Sequence, residues 1–209
     1  MTRRVLLIAG VVTLAALWGG PLPALARSQF SAHMLLHMGV VAVAAPLLAI
    51  GSAGAPWDVT RRWPVLVNPI LASVFELGVV WAWHAPAFHH AARTQTAFLL
   101  FEQASFLVAG VWLWLAACGG AAADRAQRAW LGVAGLLFTS IHMTLLGALF
   151  ALAPRPIYGA HLGADSLGDQ HLGGSIMLLV GGASYLGGGL WLTIVGLRAD
   201  PVGFWRRVA

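Results

Sequence analysis

The sequence predicts an all-α protein that crosses a membrane several times as a bundle of helices. Hydrophobic residues make up 59% of its 209 residues and charged residues only 9%. A soluble globular domain carries about 25% charged residues, so this chain has too few to cover a solvated surface. The mean hydropathy of +0.81 agrees. These values exclude a disordered protein, a nucleic-acid-binding protein and an ordinary soluble enzyme.

Five stretches are long and apolar enough to cross a bilayer as helices. A span needs about 20 apolar residues at a rise of ~1.5 Å each. Segments rich in proline, glycine and charged residues separate these stretches and break helices. No ten-residue alternation of apolar and polar residues runs through the chain, so helices are favoured over a β-barrel. The five predicted spans are 31–52, 66–88, 95–118, 129–153 and 172–197.

The first 26 residues have two interpretations. Residues 3–4 are arginines, residues 5–18 are mostly apolar, and residues 24–26 are small enough for a signal-peptide cleavage site. The same segment can also form a short transmembrane helix. We therefore predict residues 1–26 as a transmembrane helix or a signal peptide, with six spans or five, and residues 27–209 as the transmembrane domain.

The arginines predict the orientation of the chain. It carries 12 arginines and no lysine, with a formal net charge of +5. With a cytoplasmic amino terminus and six crossings, nine arginines fall in inner segments and three in outer ones, namely Arg27, Arg93 and Arg155. Short cytoplasmic loops carry an excess of arginine and lysine. The amino terminus is therefore expected to be cytoplasmic if it is retained.

The histidines gather at the predicted outer end of the bundle. Seven of the eight lie there, and only His142 lies deep in a span. Histidines scattered through a core would not be expected to share one end. The seven are His33, His37, His84, His89, His90, His161 and His171.

His33 and His37 form the most specific pair. Residues four apart project from one face of a helix with Cβ atoms about 5–6 Å apart, so two imidazoles can hold one metal ion. Imidazole suits copper, zinc and iron, and thioethers favour copper(I). The alternative is two polar residues at a helix end, with methionines that pack into the bundle. The methionines near histidines are Met34, Met38, Met143 and Met177.

Two carboxylates lie within predicted spans. Glu76 falls near the middle of 66–88, and Glu102 lies about two turns into 95–118. Ionisable residues at such depth are costly and usually face a partner inside the bundle. Each glutamate is either a paired structural residue or part of a membrane proton or metal relay.

The start of the last span combines polar residues with glycines. Asp169, Gln170 and His171 precede two glycines, and Met177 follows. An acidic residue near a helix amino terminus caps the helix and suits its dipole, which accounts for Asp169. Capping does not account for His171 and Met177, which lie on the same side as the other histidines.

Two of these segments resemble motifs of a known family. The run AHMLLHM at 32–38, followed by APLLAIG at 45–51, resembles the first motif of CtaG-type cytochrome c oxidase assembly factors. The run DQHLGG at 169–174, with Met177, resembles the closing motif of that family. The segments WHAP at 83–86 and PRPIY at 154–158 fit the same pattern, and the resemblance covers residues 30–195.

The resemblance implies a bacterial plasma-membrane protein without enzymatic activity that matures a haem–copper oxidase, with copper insertion as its expected role. Copper is then the implied cofactor, and the implied partners are oxidase subunits, a copper donor protein and the lipid bilayer, with no nucleic acid. The residues assigned to metal binding are His33, His37, His171, Asp169 and Met177 at the outer side, together with His142 deeper in its span.

Two other classes of protein stay open. A membrane cytochrome would use histidines as axial ligands of haem, and a Soret band would reveal it. The His33 and His37 pair argues mildly against haem, because two axial ligands come from opposite sides of the ring. A proton-coupled transporter would use Glu76 and Glu102, and pH-dependent uptake into vesicles would reveal it.

Overall fold

The computed structural model describes residues 2–56, 58–61, 63, 67–119, 125–158 and 166–199. In these ranges the chain is helical and contains no strand. In chain order the helices are α1 (Thr2–Gly19), α2 (Leu22–Leu25), α3 (Phe30–Met38), a π-helical segment (Gly39–Ala44), α4 (Ala45–Ser52), a 3-10 turn (Val59–Arg61), α5 (Pro69–His84), α6 (Pro86–Thr94), α7 (Thr96–Cys118), α8 (Arg125–Leu152) and α9 (Ser166–Ala199).

The predicted all-α transmembrane bundle is confirmed. Four helical stretches are long and apolar enough to span a bilayer: Phe30–Ser52, Thr96–Cys118, Arg125–Leu152 and Ser166–Ala199. The bent pair α5 and α6 can form a fifth span. The amino-terminal segment also folds as a helix, α1, of 18 residues, and it packs along α4 and the π-helical segment. Helix α1 is not among the stretches that are long and apolar enough to span a bilayer.

The predicted span 66–88 is bent rather than continuous. Helix α5 ends at His84, and α6 leaves it at an angle of 70°. Ala85 between them is extended, with φ −67° and ψ 138°, and Pro86 opens α6. Proline disfavours helical geometry in the residue before it and lacks the N–H that would continue the helix. The bend turns the residues of α6 back across the end of the bundle.

The first predicted span, 31–52, contains an irregular stretch. Pro46 lies in the first turn of α4 and cannot donate to the carbonyl of Ala42, four residues earlier. The Ser184 Oγ of α9 donates to that carbonyl instead, at 2.7 Å. The π-helical segment Gly39–Ala44 absorbs the mismatch in register ahead of the proline. The whole of Phe30–Ser52 therefore runs as one helical rod.

Helices α8 and α9 form the most extensive helix pair of the bundle. Glycines allow their backbones to approach closely, as is common between transmembrane helices. A Cβ atom at Gly174 would lie 2.7 Å from the carbonyl oxygen of Gly147. A Cβ atom at the adjacent Gly173 would lie 2.7 Å from Phe30 Cε1 and closer still to Cδ1 of the same ring. The two glycines of the DQHLGG run thus fit α9 against both α8 and α3.

Candidate functional site

Four buried histidines meet at one end of the bundle. His33 and His37 lie on α3, His84 is the last residue of α5, and His89 lies on α6. Their exposed fractions are between 0% and 5%. The bend before Pro86 is what brings His89 over the other three. This group of four is called the histidine cluster below.

The imidazole rings of the cluster are close neighbours. The centroids of His33 and His37 are 6.3 Å apart with nearly parallel planes, as their spacing on one helical face predicts. The His84 centroid is 5.3 Å from that of His33 and 5.2 Å from that of His37. The His89 centroid is 5.0 Å from that of His33. The four rings therefore share one small volume of the interior.

Most ring nitrogens of the cluster have no hydrogen-bond partner. Both nitrogens of His33 and of His37 are buried without one, as are Nε2 of His84 and Nδ1 of His89. A buried polar atom left unpaired costs about 1–3 kcal/mol, and native proteins keep few of them. Six such atoms lie together in the histidine cluster.

The tautomer of His84 follows from its one hydrogen bond. Its Nδ1 lies 2.6 Å from the carbonyl oxygen of Val80, which can only accept. Nδ1 therefore carries the proton, and Nε2 presents a lone pair to the cluster. Histidines that ligate metals commonly have their other ring nitrogen fixed in this way by a carbonyl or carboxylate.

A buried ion pair borders the cluster. Arg93 of α6 donates to Glu102 of α7, and Gln103 Nε2 donates to the same carboxylate oxygen at 3.2 Å. His33 Nδ1 lies 3.9 Å from that oxygen. The other oxygen of Glu102 is buried without a partner. Arg93 also donates to the carbonyl of Ala26 at 2.9 Å, so it links α6, α7 and the segment before α3.

Aromatic side chains pack against the histidine cluster. The ring of Tyr158, in the loop after α8, stacks on His89 with centroids 3.9 Å apart. Phe30 lies 5.9 Å from His33 and 5.3 Å from Tyr158, measured between centroids. Burial raises the pKa of Tyr158. Its hydroxyl therefore stays protonated and donates to the carbonyl of His84 at 2.9 Å.

The DQH run has a structural role next to the cluster. The Asp169 carboxylate accepts from the backbone N–H of Phe30 at 2.5 Å and of Ser31 at 3.2 Å, and from the hydroxyl of Ser31. Asp169 thus caps α3, the helix that carries two of the histidines, rather than only its own helix. Gln170 accepts from the N–H of Ile157 at 2.7 Å and donates to the carbonyl of Phe150 at 3.2 Å.

The other predicted ligands differ in how they stand to the four rings. His171 Nε2 is 2.9 Å from the carbonyl oxygen of Ala153, so that nitrogen donates and only Nδ1 has a free lone pair. His142 is buried on α8 with both nitrogens unpartnered, close enough to His37 for the imidazoles to interact electrostatically. Met177 is buried in the hydrophobic core. The metal role of these residues stays a prediction.

The methionines next to the histidine pair face a different helix. A Cβ atom at Gly173 would lie 3.1 Å from Met34 Cγ, and one at Gly181 would lie 3.1 Å from Met38 Cε. Both methionines therefore pack against α9. The candidate site is consequently a set of imidazoles rather than a mixed set of imidazoles and thioethers.

Glu76 belongs to a separate polar network. Thr139 Oγ1 donates to it at 3.1 Å, and the Tyr185 hydroxyl lies 3.4 Å from its other oxygen. Ser73 extends the network to Thr139, at 2.6 Å, and to the carbonyl of Gly135, at 3.0 Å. Eight residues separate Glu76 from His84 on α5, a rise of about 12 Å. Thr139 and Tyr185 are thus the partners of Glu76 that the sequence could not identify, and this network is separate from the histidine cluster.

The sequence placed His84 and His89 at the outer end but did not assign them as ligands. The signal that could have found them is the WHAP run, because a proline two residues after His84 turns the chain back over the same end. His161, also predicted there, lies outside the described residues. In the described part of the chain, no three His, Cys, Asp or Glu side chains already stand in a metal-binding arrangement. Ring rotation is therefore needed before the cluster can bind an ion.

The fold and the cluster define a multi-pass membrane protein with a histidine-lined interior site. The family model of the cytochrome c oxidase caa3 assembly factor (Caa3_CtaG) matches residues 1–198, and the chain belongs to this family. The membership confirms the family predicted from the motifs. It implies a cytochrome c oxidase as partner and suggests a non-catalytic role. Neither the curated proteins nor the solved structures gave a match.

Proposed function

We propose that this assembly factor holds copper at the histidine cluster and passes it to a cytochrome c oxidase. The observation that carries the proposal is the set of six buried, unpartnered ring nitrogens on His33, His37, His84 and His89. Copper is cargo here, bound and released, rather than a permanent part of the fold. Among the described residues the four rings do not already stand in a metal-binding arrangement, so they would have to rotate on binding and release, which suits an ion that must leave again.

The charge of the site favours copper(I) over divalent ions. The four imidazoles bind metal in their neutral form, and Arg93 largely offsets the charge of Glu102. The cost of burying an ion in a low-dielectric interior rises steeply with its charge, so a monovalent ion is the easier one to accept. Imidazole is also among the ligands that copper uses in proteins.

The place of the site supports delivery at the outer face of a bacterial plasma membrane. The cluster lies where α3 and α7 begin and where α5 ends, which the arginine distribution assigns to the outer side. A copper donor protein would load it there, and oxidase subunits would receive the ion. This orientation is part of the proposal.

The direct test is a copper(I) titration of purified protein in detergent, without oxygen, against a chromophoric chelator. We expect about one copper(I) per chain and binding tighter than that of zinc. The variant His33→Ala/His37→Ala should bind copper(I) at least tenfold more weakly, because it removes four of the six unpartnered nitrogens. The matched control is His90→Ala, which changes the exposed neighbour of His89.

Cells carrying the two variants test the delivery step. With His33→Ala/His37→Ala, we expect oxidase polypeptides to be present, short of copper and inactive, whereas His90→Ala should leave the oxidase fully loaded. Full copper loading in the double variant would contradict delivery through this cluster. A Soret band in the purified protein would instead favour the haem-binding alternative.

A further inference from the structure

A second polar site lies at the opposite end of the bundle from the histidine cluster. A cavity of about 350 Å³ opens there between the first turn of α1, the end of α4, the end of α7 and the first turn of α8. Three arginines line it, Arg3 from α1 and Arg125 and Arg128 from α8. We propose that this cavity binds a phosphate group, and that the group belongs to the headgroup of an anionic phospholipid.

The three arginines line the same cavity from two helices. None of them forms an ion pair with another residue of the described ranges. Arg128 is half-buried, and its Nε is buried with no hydrogen-bond partner. Positive-inside topology accounts for arginines at this end of a membrane protein, but it does not account for three of them facing one cavity.

Arginine is suited to the ligand proposed. Its guanidinium presents a planar fork of donors that matches two phosphate oxygens, and it stays charged at all relevant pH values. Basic pockets between transmembrane helices on the cytoplasmic side are sites where anionic headgroups bind. Three guanidinium groups from two helices can surround one phosphate.

The backbone near Arg3 is shaped to hold its side chain in place. Gly54 has a φ of +74°, a conformation that glycine adopts without strain. A Cβ atom at this position would lie 3.0 Å from Arg3 Nη2, so the guanidinium rests directly on the glycine. Asp58 fixes the turn by accepting from the N–H of Gly54 at 2.5 Å.

The cavity has an apolar wall beside the arginines, which favours a lipid over a free anion. Trp191, Leu192 and Val195 of α9 form that wall, and Trp191 is 42% exposed on the outside of the bundle. A phospholipid with its phosphate at the arginines can place an acyl chain along this wall. A free phosphate would gain nothing from it.

The test uses the full-length protein in detergent, freed of lipid, and native mass spectrometry with added phosphatidylglycerol or phosphatidylcholine. We expect phosphatidylglycerol to bind about tenfold more tightly than phosphatidylcholine. The variant Arg125→Gln/Arg128→Gln should remove this preference. Arg4→Gln/Arg198→Gln makes the same change of charge at the same end with exposed residues outside the cavity, and should keep the preference.

Two further arms separate the possible sources of the phosphate group. Arg125→Lys/Arg128→Lys keeps the charge that orients the chain, so a weakened preference in this variant assigns binding to the guanidinium geometry rather than to topology. Inorganic phosphate that displaces the lipid at millimolar concentration would support the phosphate site while assigning it to a soluble ligand. An unchanged lipid preference in Arg125→Gln/Arg128→Gln would overturn the proposal. The site is independent of copper, so His33→Ala/His37→Ala should bind lipid normally.

Discussion

At the scale of single residues, the two membrane glutamates differ in what they face. Glu102 lies against the charged Arg93, whereas Glu76 lies against the neutral hydroxyls of Thr139 and Tyr185. Sequence alone places both within predicted spans and identifies a partner for neither. Their partners come from other helices, so only the fold separates an ion pair from a neutral hydrogen-bond network.

This difference predicts effects of different size for the same substitution. Glu102→Gln leaves a buried arginine unpaired, so we expect a loss of ~3–5 kcal/mol in the free energy of unfolding. Glu76→Gln keeps an oxygen that accepts from a hydroxyl, so we expect a change of about 1 kcal/mol. Thermal unfolding in detergent, with both variants prepared alike, measures the difference.

The same pair of variants tests the relay hypothesis. A relay through Glu76 requires a carboxylate that can exchange a proton, so oxidase activity in cells should fall in Glu76→Gln although the protein stays stable. Normal oxidase activity in that variant would limit Glu76 to a structural role. Equal destabilisation by the two substitutions would contradict the distinction between ion pair and neutral network.

The residues of the histidine cluster could be predicted in part. The spacing of His33 and His37 fixes both rings on one helical face, and the structure has them stacked there. His84 and His89 join them because the chain bends at Pro86, and the hydropathy of the sequence does not predict this bend. The sequence indicates only a topology signal at Arg93, because nothing in it shows that this side chain reaches Glu102.

At the scale of helices, α9 positions α3. Asp169, on α9, caps the first turn of α3, and Gly173 leaves room for Phe30 at the start of the same helix. The sequence explains Asp169 as the cap of its own helix, which was the nearest one along the chain. The residues that hold His33 and His37 in place are therefore 130 or more positions away, and local sequence cannot reveal them.

The cross-helix cap can be tested against an ordinary one. Asp169→Ala removes acceptors from two backbone N–H groups of α3, and we expect a loss of ~1–2 kcal/mol in stability. Because the start of α3 is then less fixed, copper(I) affinity should fall severalfold. Asn68→Ala removes the cap of α5 at the end away from the cluster, where Asn68 accepts from the N–H of Ile70 at 2.9 Å.

The two cap variants should therefore lose similar stability but differ in copper binding. Chemical or thermal unfolding measures the first quantity and chelator competition measures the second. A copper affinity that falls equally in both variants would mean that general loosening of the fold, rather than release of α3, weakens the site.

At the scale of the whole molecule, the two polar sites lie at opposite ends of an apolar bundle. Hydropathy predicted most of this architecture, because long apolar stretches in lipid have to be helices. The exception is the stretch 66–88, where a proline converts one predicted span into two helices at 70°. The orientation of the bundle rests on the arginines, of which nine are predicted on the inner side.

This orientation is tested with reporters fused at two positions. A reporter active only outside the cytoplasm should be active after Thr94 and inactive after Gly119, because α7 lies between the two positions. A reporter that works only in the cytoplasm should show the reverse. If the first reporter is active after Gly119 and inactive after Thr94, the orientation is the reverse of the predicted one, and the histidine cluster lies on the cytoplasmic side.

The π-helical segment Gly39–Ala44 makes chain length part of the site. Each residue of a helix turns the chain by about 100°. One residue more or fewer between α3 and α4 would therefore rotate the side chains of His33 and His37 about the helix axis by a similar angle. His33 and His37 would then point away from His84, even though every ligand is still encoded. The chain can therefore accept many substitutions in this stretch more easily than a single insertion or deletion, because the number of residues before Pro46 fixes the direction in which His33 and His37 point.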